Sequence, residues 1–306
     1  MADLDARDPA GNDAEDDFGA YHSLAEESED HRWAFGTGFT DALEGVDTTV
    51  PEGVDAHALA AYCLMLGDDA LICSHRLQQW MTRAPELEEE TALGNIALDL
   101  LGQARMLLAR AGRADGTNRD EDRLAFFRDE GEFRNTRLVE RLDADFGELV
   151  ARLLVFSTHR LALLDRLRAS ADPVLAAIAD KGVKEVTYHR DYAARWVVRL
   201  GDGTAESHRR VQAGFDVIWP LVDELFTTHA VEQALPGVAV PAAELRAEVD
   251  VVLDTVLATA HLERPGAAPL AAVGGRAGRD GRHTEAFGFV LAEMQSVARA
   301  HPEGSW

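Results

Sequence analysis

Glu185 and His189 lie four residues apart in the stretch KGVKEVTYHRDYAARW, which runs from Lys181 to Trp196. On a helix this spacing places the carboxylate and the imidazole on the same face, one turn apart. Imidazole and carboxylate groups are both common ligands of transition metals in proteins. The pair could therefore be half of a metal site, or the remnant of one.

The segments that must position these groups have a helical pattern from about residue 55 onward. Apolar residues recur at intervals of three and four, whereas the alternating runs of strands are scarce. Long helices are predicted at about 55–83, 85–110, 145–169 and 173–200, and shorter ones at about 121–131, 204–229, 242–261 and 284–300. This order predicts an all-α protein whose two long helix pairs form a four-helix bundle with additional flanking helices.

Three of the four long helices carry an acidic residue on the stripe that should face the bundle interior. The first contributes Asp69, the second Asp99, and the fourth Glu185 together with His189, whereas the third offers only Ser157 near its middle. Buried carboxylates need a proton, a cation or a hydrogen-bonding partner. The layout resembles ferritin-like di-iron bundles, in which two helices each supply a Glu and two each supply a Glu-x-x-His pair.

Compared with that di-iron pattern, the ligand set of this chain is incomplete. Gly102 stands three residues after Asp99, and Tyr188 stands three residues after Glu185, at the places where the pattern has histidine. The third long helix has no carboxylate on its stripe. The sequence therefore predicts a ferritin-like fold without a complete di-iron site.

The remaining polar residues favour a polar cluster in the core that binds no metal and contains no catalytic residue. Lys181 or Lys184 could supply the positive charge that such a cluster needs, although lysine more often extends to solvent. A single metal bound by the same residues, and a working di-iron site, are the alternatives. The candidate residues of the cluster are Asp69, Asp99, Glu185 and His189.

The charge of the chain limits its partners. It has 54 acidic and 30 basic side chains, a formal net charge of −24, which argues against binding to nucleic acid or to an anionic membrane surface. Lys181 and Lys184 are the only lysines, and acidic, lysine-poor surfaces suit a cytoplasm with molar salt. A halophilic source is therefore predicted, although a GC-rich genome would also favour arginine over lysine.

Two parts of the chain differ in composition. Residues 1–50 are acidic and polar and are predicted to be a disordered extension, whereas residues 51–306 carry the helical pattern and are predicted to form the ferritin-like domain. The N-terminus lacks the basic and apolar regions of a secretory signal, and no apolar run approaches the length of a membrane span. We expect a cytoplasmic protein.

Five ordered blocks of the sequence resemble one known family, the C subunits of bacterial phenylacetyl-CoA epoxidases. The resemblance covers roughly residues 55–306 and leaves out about the first fifty. The blocks are LGDDALICSHRLQQW, APELEEETALGNIALDLLGQARMLL, FRDEGEFRN, KEVTYHRDYAARWVVRLGDGTAESHRRVQ and GRHTEAFGFVLAEMQSVARAHPEGSW.

The resemblance implies a role in a multicomponent oxygenase that forms an epoxide on the ring of phenylacetyl-CoA. In that family a related A subunit carries the di-iron centre and the substrate site, and a flavin and iron–sulfur reductase belongs to the complex. The C subunit is a ferritin-like structural partner of A that has lost its metals, so no catalytic residue is transferred to this chain. A metal-binding oxygenase acting in its own right, and a ferritin-like storage protein, are the alternatives.

Overall fold

The computed structural model describes Leu43 and residues 45–304. Most of the predicted acidic extension, residues 1–50, lies outside the described residues. Its last residues nevertheless contact the helical domain, because Val46 and Val50 pack against the core and Arg110 donates hydrogen bonds to the backbone carbonyls of residues 48 and 49. Residues 46–50 therefore pack together with the helical domain.

The described residues form an all-α fold, as predicted, with one isolated β-bridge between Val273 and Arg276 and no other strand pairing. Short 3-10 turns connect several of the helices. The α-helices are α1 Ala56–Met81, α2 Leu87–Ala114, α3 Glu121–Phe126, α4 Phe146–Leu167, α5 Pro173–Gly201, α6 Ala205–Ile218, α7 Ala230–Gln233, α8 Arg246–Thr259 and α9 Glu285–Ala300.

The bundle consists of two helix pairs, α1 with α2 and α4 with α5, and the pairs meet mainly through α2 and α5. Aspartate side chains begin three of these helices by accepting hydrogen bonds from backbone N–H groups of the first turn. Asp55 caps α1, Asp145 caps α4, and Asp172 caps α5, where Pro173 occupies the first helical position. These local signals explain why the long helices begin where the sequence predicts.

Two predicted helix ends differ from the structure for reasons of backbone chemistry. The helix predicted at 204–229 ends as an α-helix at Ile218 and continues as a 3-10 turn, because Pro220 has no N–H for the helical ladder. Helix α2 continues past its predicted end near residue 110 to Ala114. Gly112 is needed there for space, since a Cβ atom would lie 1.9 Å from the carbonyl oxygen of Arg119.

Helix α1 is long and apolar enough to cross a membrane by length and composition alone, contrary to the expectation from the sequence pattern. However, 72% of its most apolar stretch is buried inside the fold. Its buried residues pack mainly against α2. This burial is what a core helix of a soluble protein requires.

Helix α6 lies unusually close to the first turn of α4. Two glycines make this approach possible, Gly147 on α4 and Gly214 on α6. A Cβ atom on Gly214 would lie 2.7 Å from the Cα atom of Glu148, which is backbone and cannot move aside easily. On α2, by contrast, a Cβ atom on Gly102 would meet nothing within 4 Å.

We predict opposite effects for the same substitution at these two glycines. Gly214→Ala should lower the free energy of unfolding by about 1–3 kcal/mol, because the backbones of α4 and α6 must separate. Gly102→Ala should raise it by about 0.5–1 kcal/mol, because alanine restricts the unfolded chain and has room in the helix. Urea denaturation of both variants measures the difference. Equal effects at the two positions would contradict the close packing of α4 and α6.

Candidate functional site

One polar side chain from each long helix points into the middle of the bundle. These residues are Asp69 on α1, Gln103 on α2, Arg160 on α4 and Glu185 on α5, and we call them the bundle-centre cluster. The first three are buried to at least 97%, and the side chain of Glu185 is 16% exposed. Ferritin-like di-iron proteins hold their metals in the corresponding region between the same four helices.

Gln103 links the two charged residues on either side of it. The side-chain oxygen of Gln103 accepts a hydrogen bond from Nε of Arg160 at 2.8 Å, and its amide nitrogen donates to Oε2 of Glu185 at 2.8 Å. The amide thus uses both its acceptor and a donor. Gly182 makes room for Leu164 of α4, because a Cβ atom there would lie 2.9 Å from Cδ1 of Leu164, whereas its 3.5 Å distance to the Gln103 amide is ordinary van der Waals contact.

Arg160 carries the positive charge at the centre of the bundle. Burial lowers the pKa of its guanidinium, and the nearby carboxylates of Asp69 and Glu185 oppose that change. Its Nη1 atom donates to the carbonyl oxygen of Leu66 at 3.3 Å, whereas its Nη2 atom has no hydrogen-bond partner in the described part of the chain. The hydrogen bonds to Gln103 and to the Leu66 carbonyl oxygen therefore hold this side chain. Asp69 and Glu185 act on it through longer-range electrostatic attraction.

Asp69 is fixed by segments outside the four long helices. Its Oδ1 atom accepts hydrogen bonds from the backbone N–H of Thr136 at 2.8 Å and from the Thr136 hydroxyl at 3.2 Å. Its Oδ2 atom forms a 2.7 Å ion pair with Arg279. Arg279 also donates to the carbonyl oxygens of Met65 and Arg134, so this arginine ties the C-terminal loop to α1.

Glu185 lies at the edge of the cluster. Burial raises the pKa of Glu185, while its hydrogen bond to Gln103 and the charge of Lys181 act in the opposite direction. The ammonium group of Lys181 lies 3.4 Å from Oε1 of Glu185. The structure thus places Lys181, but not the exposed Lys184, beside the cluster. Lys181 therefore supplies a cation to Glu185 at the edge of the cluster, and the buried Arg160 adds a second positive charge inside it.

The structure brings three of the four predicted residues into one neighbourhood. Nε2 of His189 lies 2.9 Å from Oδ2 of Asp99, and the Asp99 carboxylate adds to the negative potential at Glu185. Asp69 is held instead by Arg279 and Thr136. Among the described residues, no three His, Cys, Asp or Glu side chains are arranged to hold a common metal ion.

Sequence reasoning missed Arg160, although its position carried a signal. Ser157 and Arg160 are three residues apart on α4, the spacing of Glu and His in the di-iron pattern. Ser157 supplies no ligand, because its hydroxyl donates to the carbonyl oxygen of Leu153 at 2.6 Å. Arginine in a sequence is normally assigned to the surface, whereas every residue of α4 from 147 to 160 is buried.

Comparison with known proteins gives two consistent matches. Residues 45–306 match the family described as phenylacetic acid catabolic protein. The curated C subunit of 1,2-phenylacetyl-CoA epoxidase from Escherichia coli strain K12 is 41% identical over 252 residues. The matched region covers 81% of this chain and 99% of the E. coli protein. The family match spans all four long helices of the bundle.

We predict that Arg160→Met destabilises the fold by about 1.5–3 kcal/mol, because it leaves the buried side-chain oxygen of Gln103 and the carbonyl oxygen of Leu66 without the hydrogen bonds that Arg160 donates. The matched control is Arg209→Met on α6, where the arginine pairs with Glu206 at the exposed surface. That change should leave the stability almost unchanged, because solvent screens an exposed ion pair. Guanidinium denaturation compares the two variants, and an equally small effect of both would argue against a central role of Arg160.

A second prediction concerns His159, which is 4% exposed and whose Nε2 atom has no hydrogen-bond partner among the described residues. Burial lowers the pKa of His159 to about 4 from its ordinary value of 6.5. As the pH falls, the unfolded chain therefore protonates His159 at a higher pH than the folded chain does. The contribution of His159 to the free energy of unfolding is therefore fully present above pH 6.5 and is lost as the pH falls towards 4.

His159→Phe should remove this contribution to the acid sensitivity. Between pH 6.5 and pH 4 the native chain should lose about 3 kcal/mol more stability than the variant does. Urea denaturation across this pH range measures both curves. Parallel curves for the two proteins would show that His159 titrates equally in the folded and unfolded states.

Proposed function

The chain belongs to the phenylacetic acid catabolic protein family, and from this premise we propose that it is a structural, non-catalytic subunit of a phenylacetyl-CoA epoxidase complex. It pairs with the di-iron catalytic A subunit of the same complex in aerobic phenylacetate degradation. The other epoxidase components, including a flavin and iron–sulfur reductase, supply electrons to the A subunit. The complex acts in the cytoplasm, and this chain contributes no catalytic residue.

The observation that carries this proposal is the arginine at the bundle centre. The buried guanidinium of Arg160 brings a positive charge, close enough to Asp69 and Glu185 to feel their charges, into the region where ferritin-like oxygenases hold metal ions. Arg160 is anchored to Gln103, and Asp69 already has Arg279 as a partner. A cation entering this region would meet a fixed positive charge and carboxylates that are already in use. The chemistry of these side chains therefore supports a scaffold more than an oxygen-activating site.

The relative supports the heteromeric part of the proposal. The E. coli protein is named as one subunit of an epoxidase, and the match covers 99% of its length. A subunit that lacks a reaction centre of its own contributes to its complex by stabilising and positioning a partner subunit. We propose that residues 51–306 provide this scaffold, with the acidic N-terminal extension outside it.

Iron distribution tests the proposal directly. The chain is expressed alone and together with the matching A subunit, and iron per chain and phenylacetyl-CoA turnover with the reductase are measured in high salt. We expect little iron and no turnover for the chain alone, and a stable complex with iron in the A subunit. Glu185→Gln in this chain should leave turnover of the complex within about twofold, because the substitution preserves the hydrogen bond to Gln103 and removes only a partly buried charge.

The opposite outcome would identify an oxygenase in its own right. Nearly two irons bound by this chain alone, with turnover, would overturn the structural role. Loss of that iron in Glu185→Ala would then assign Glu185 as a ligand. The control is Glu206→Ala, which removes an exposed carboxylate of α6, a helix outside the four-helix bundle.

A further inference from the structure

The outer surface where α2 and α5 meet has an apolar centre. Leu98 on α2 is 56% exposed, and Tyr188 on α5 is 47% exposed. Each directly precedes a member of the pair formed by Asp99 and His189, which joins the two helices. Leu98 and Tyr188 therefore lie at the same level of the bundle. Tyrosine is one of the residues in which protein–protein interfaces are enriched.

Gly102 lies one turn after Leu98 on the outer surface of α2. A Cβ atom at Gly102 would meet nothing within 4 Å, whereas a Cβ atom at each of the other glycines in the described α-helices would meet a neighbouring atom. A glycine inside a helix is destabilising relative to alanine. Packing within this chain does not require Gly102, so the close approach of another molecule to the backbone of α2 explains it.

Basic side chains lie beside this apolar centre on α5. The exposed residues Lys184, Arg195 and Arg199 are eleven and four residues apart, which places them on one stripe of the helix. Tyr188 lies on the same stripe, four residues after Lys184. Lys184 and Arg195 form no ion pair within the part of the chain that the structure describes. The stripe therefore presents positive charge on a chain whose net charge is −24.

The arginines of α6 and α8, by contrast, are paired within the chain. Arg209 and Arg210 on α6 both pair with Glu206, and Arg246 on α8 pairs with Asp250. The stripe of α5 is therefore suited to carboxylates that another molecule supplies. A second copy of this chain in a two-fold symmetric pair would place two basic stripes against each other, and like charges disfavour such a contact.

We propose that the outer surface of α2 and α5 docks onto the catalytic A subunit, which contributes a surface with carboxylates around an apolar spot. Leu98 and Tyr188 form the apolar centre of the contact, and Gly102 lets the partner reach the backbone of α2. The inference rests on the proposed function, because it assigns a surface to the partner named there. We call this surface the α2–α5 face, and it consists of Leu98, Gly102, Lys184, Tyr188, Arg195 and Arg199.

Hydroxyl-radical footprinting of the complex with the A subunit locates the docking surface. Tyr188 should become about threefold less reactive in the complex, because the contact excludes water from its ring. Phe289 on α9 is 67% exposed and serves as the internal control, and its reactivity should stay unchanged. Phe289 lies four residues from both Glu285 and Glu293, which would repel an acidic partner. Protection of Phe289 with an unchanged Tyr188 would overturn the proposal.

Variants of the α2–α5 face test the same contact through the Kd for the A subunit. Gly102→Leu should weaken binding about tenfold or more, because its side chain holds the partner away from the backbone. Thermal unfolding of this variant alone should not occur at a lower temperature than in the native chain, because leucine favours a helix more than glycine does. Loss of affinity without loss of stability separates a docking role from a structural one.

Charge reversal tests the basic edge of the face. Lys184→Glu combined with Arg195→Glu should weaken binding about tenfold at low ionic strength and less in molar salt, because salt screens the charges. The matched control is Arg282→Glu, an exposed arginine of the C-terminal loop, which should change the Kd by less than about twofold.

The two proposals fail in different ways. Native affinity in Gly102→Leu and in the double charge reversal would overturn the α2–α5 face as the docking surface and leave the complex itself intact. Failure of the native chain to bind the A subunit would overturn the proposed function together with this docking surface.

Discussion

A carboxylate inside a helical bundle must share its charge with a cation, because an unpaired buried charge costs several kcal/mol. Asp69 pairs with Arg279, Glu185 pairs with Lys181, and Arg160 from α4 is linked to Glu185 through the Gln103 amide. Hydrogen bonds from the buried Arg160 thus reach α1 and α2 directly, and α5 through Gln103. In ferritin-like oxygenases a pair of metal ions supplies the positive charge beside the buried carboxylates. An arginine supplies that charge with a group that the chain itself encodes and that cannot be deprotonated in proteins.

The same solution recurs through the rest of the fold. Asp143 and Arg152 form an ion pair with both side chains fully buried, at 2.6 Å. Arg110 pairs with Asp172 where α5 begins, and Arg128 pairs with Asp68. Arginine suits these places because its planar group makes two parallel bonds to a carboxylate and holds less water than an ammonium. The cations of these buried ion pairs are therefore arginines, in keeping with the scarcity of lysine in the chain. The adaptation of the surface to high salt stays a prediction.

These ion pairs also explain how irregular segments are held to the bundle. Arg279 in the C-terminal loop reaches Asp69 and the carbonyl oxygen of Met65, and His283 lies 2.6 Å from Glu140, which is fully buried. Each contact joins residues that are far apart in sequence, so the loop cannot leave without exposing a buried acid. A domain closed in this way suits a subunit that presents a fixed surface to its partners.

The helices follow from the local sequence, because apolar periodicity and the caps at Asp55, Asp145 and Asp172 are properties of neighbouring residues. The same periodicity places the four candidate residues, from Asp69 to His189, on the apolar stripes of their helices. The partners of these groups depend on the tertiary structure. Asp69 meets Arg279, which is 210 residues away, and Arg160 lies in a stretch of α4 that is buried on all sides, where no polar face marks its direction. Charge pairing acts through space, so it becomes visible only when the helices have packed.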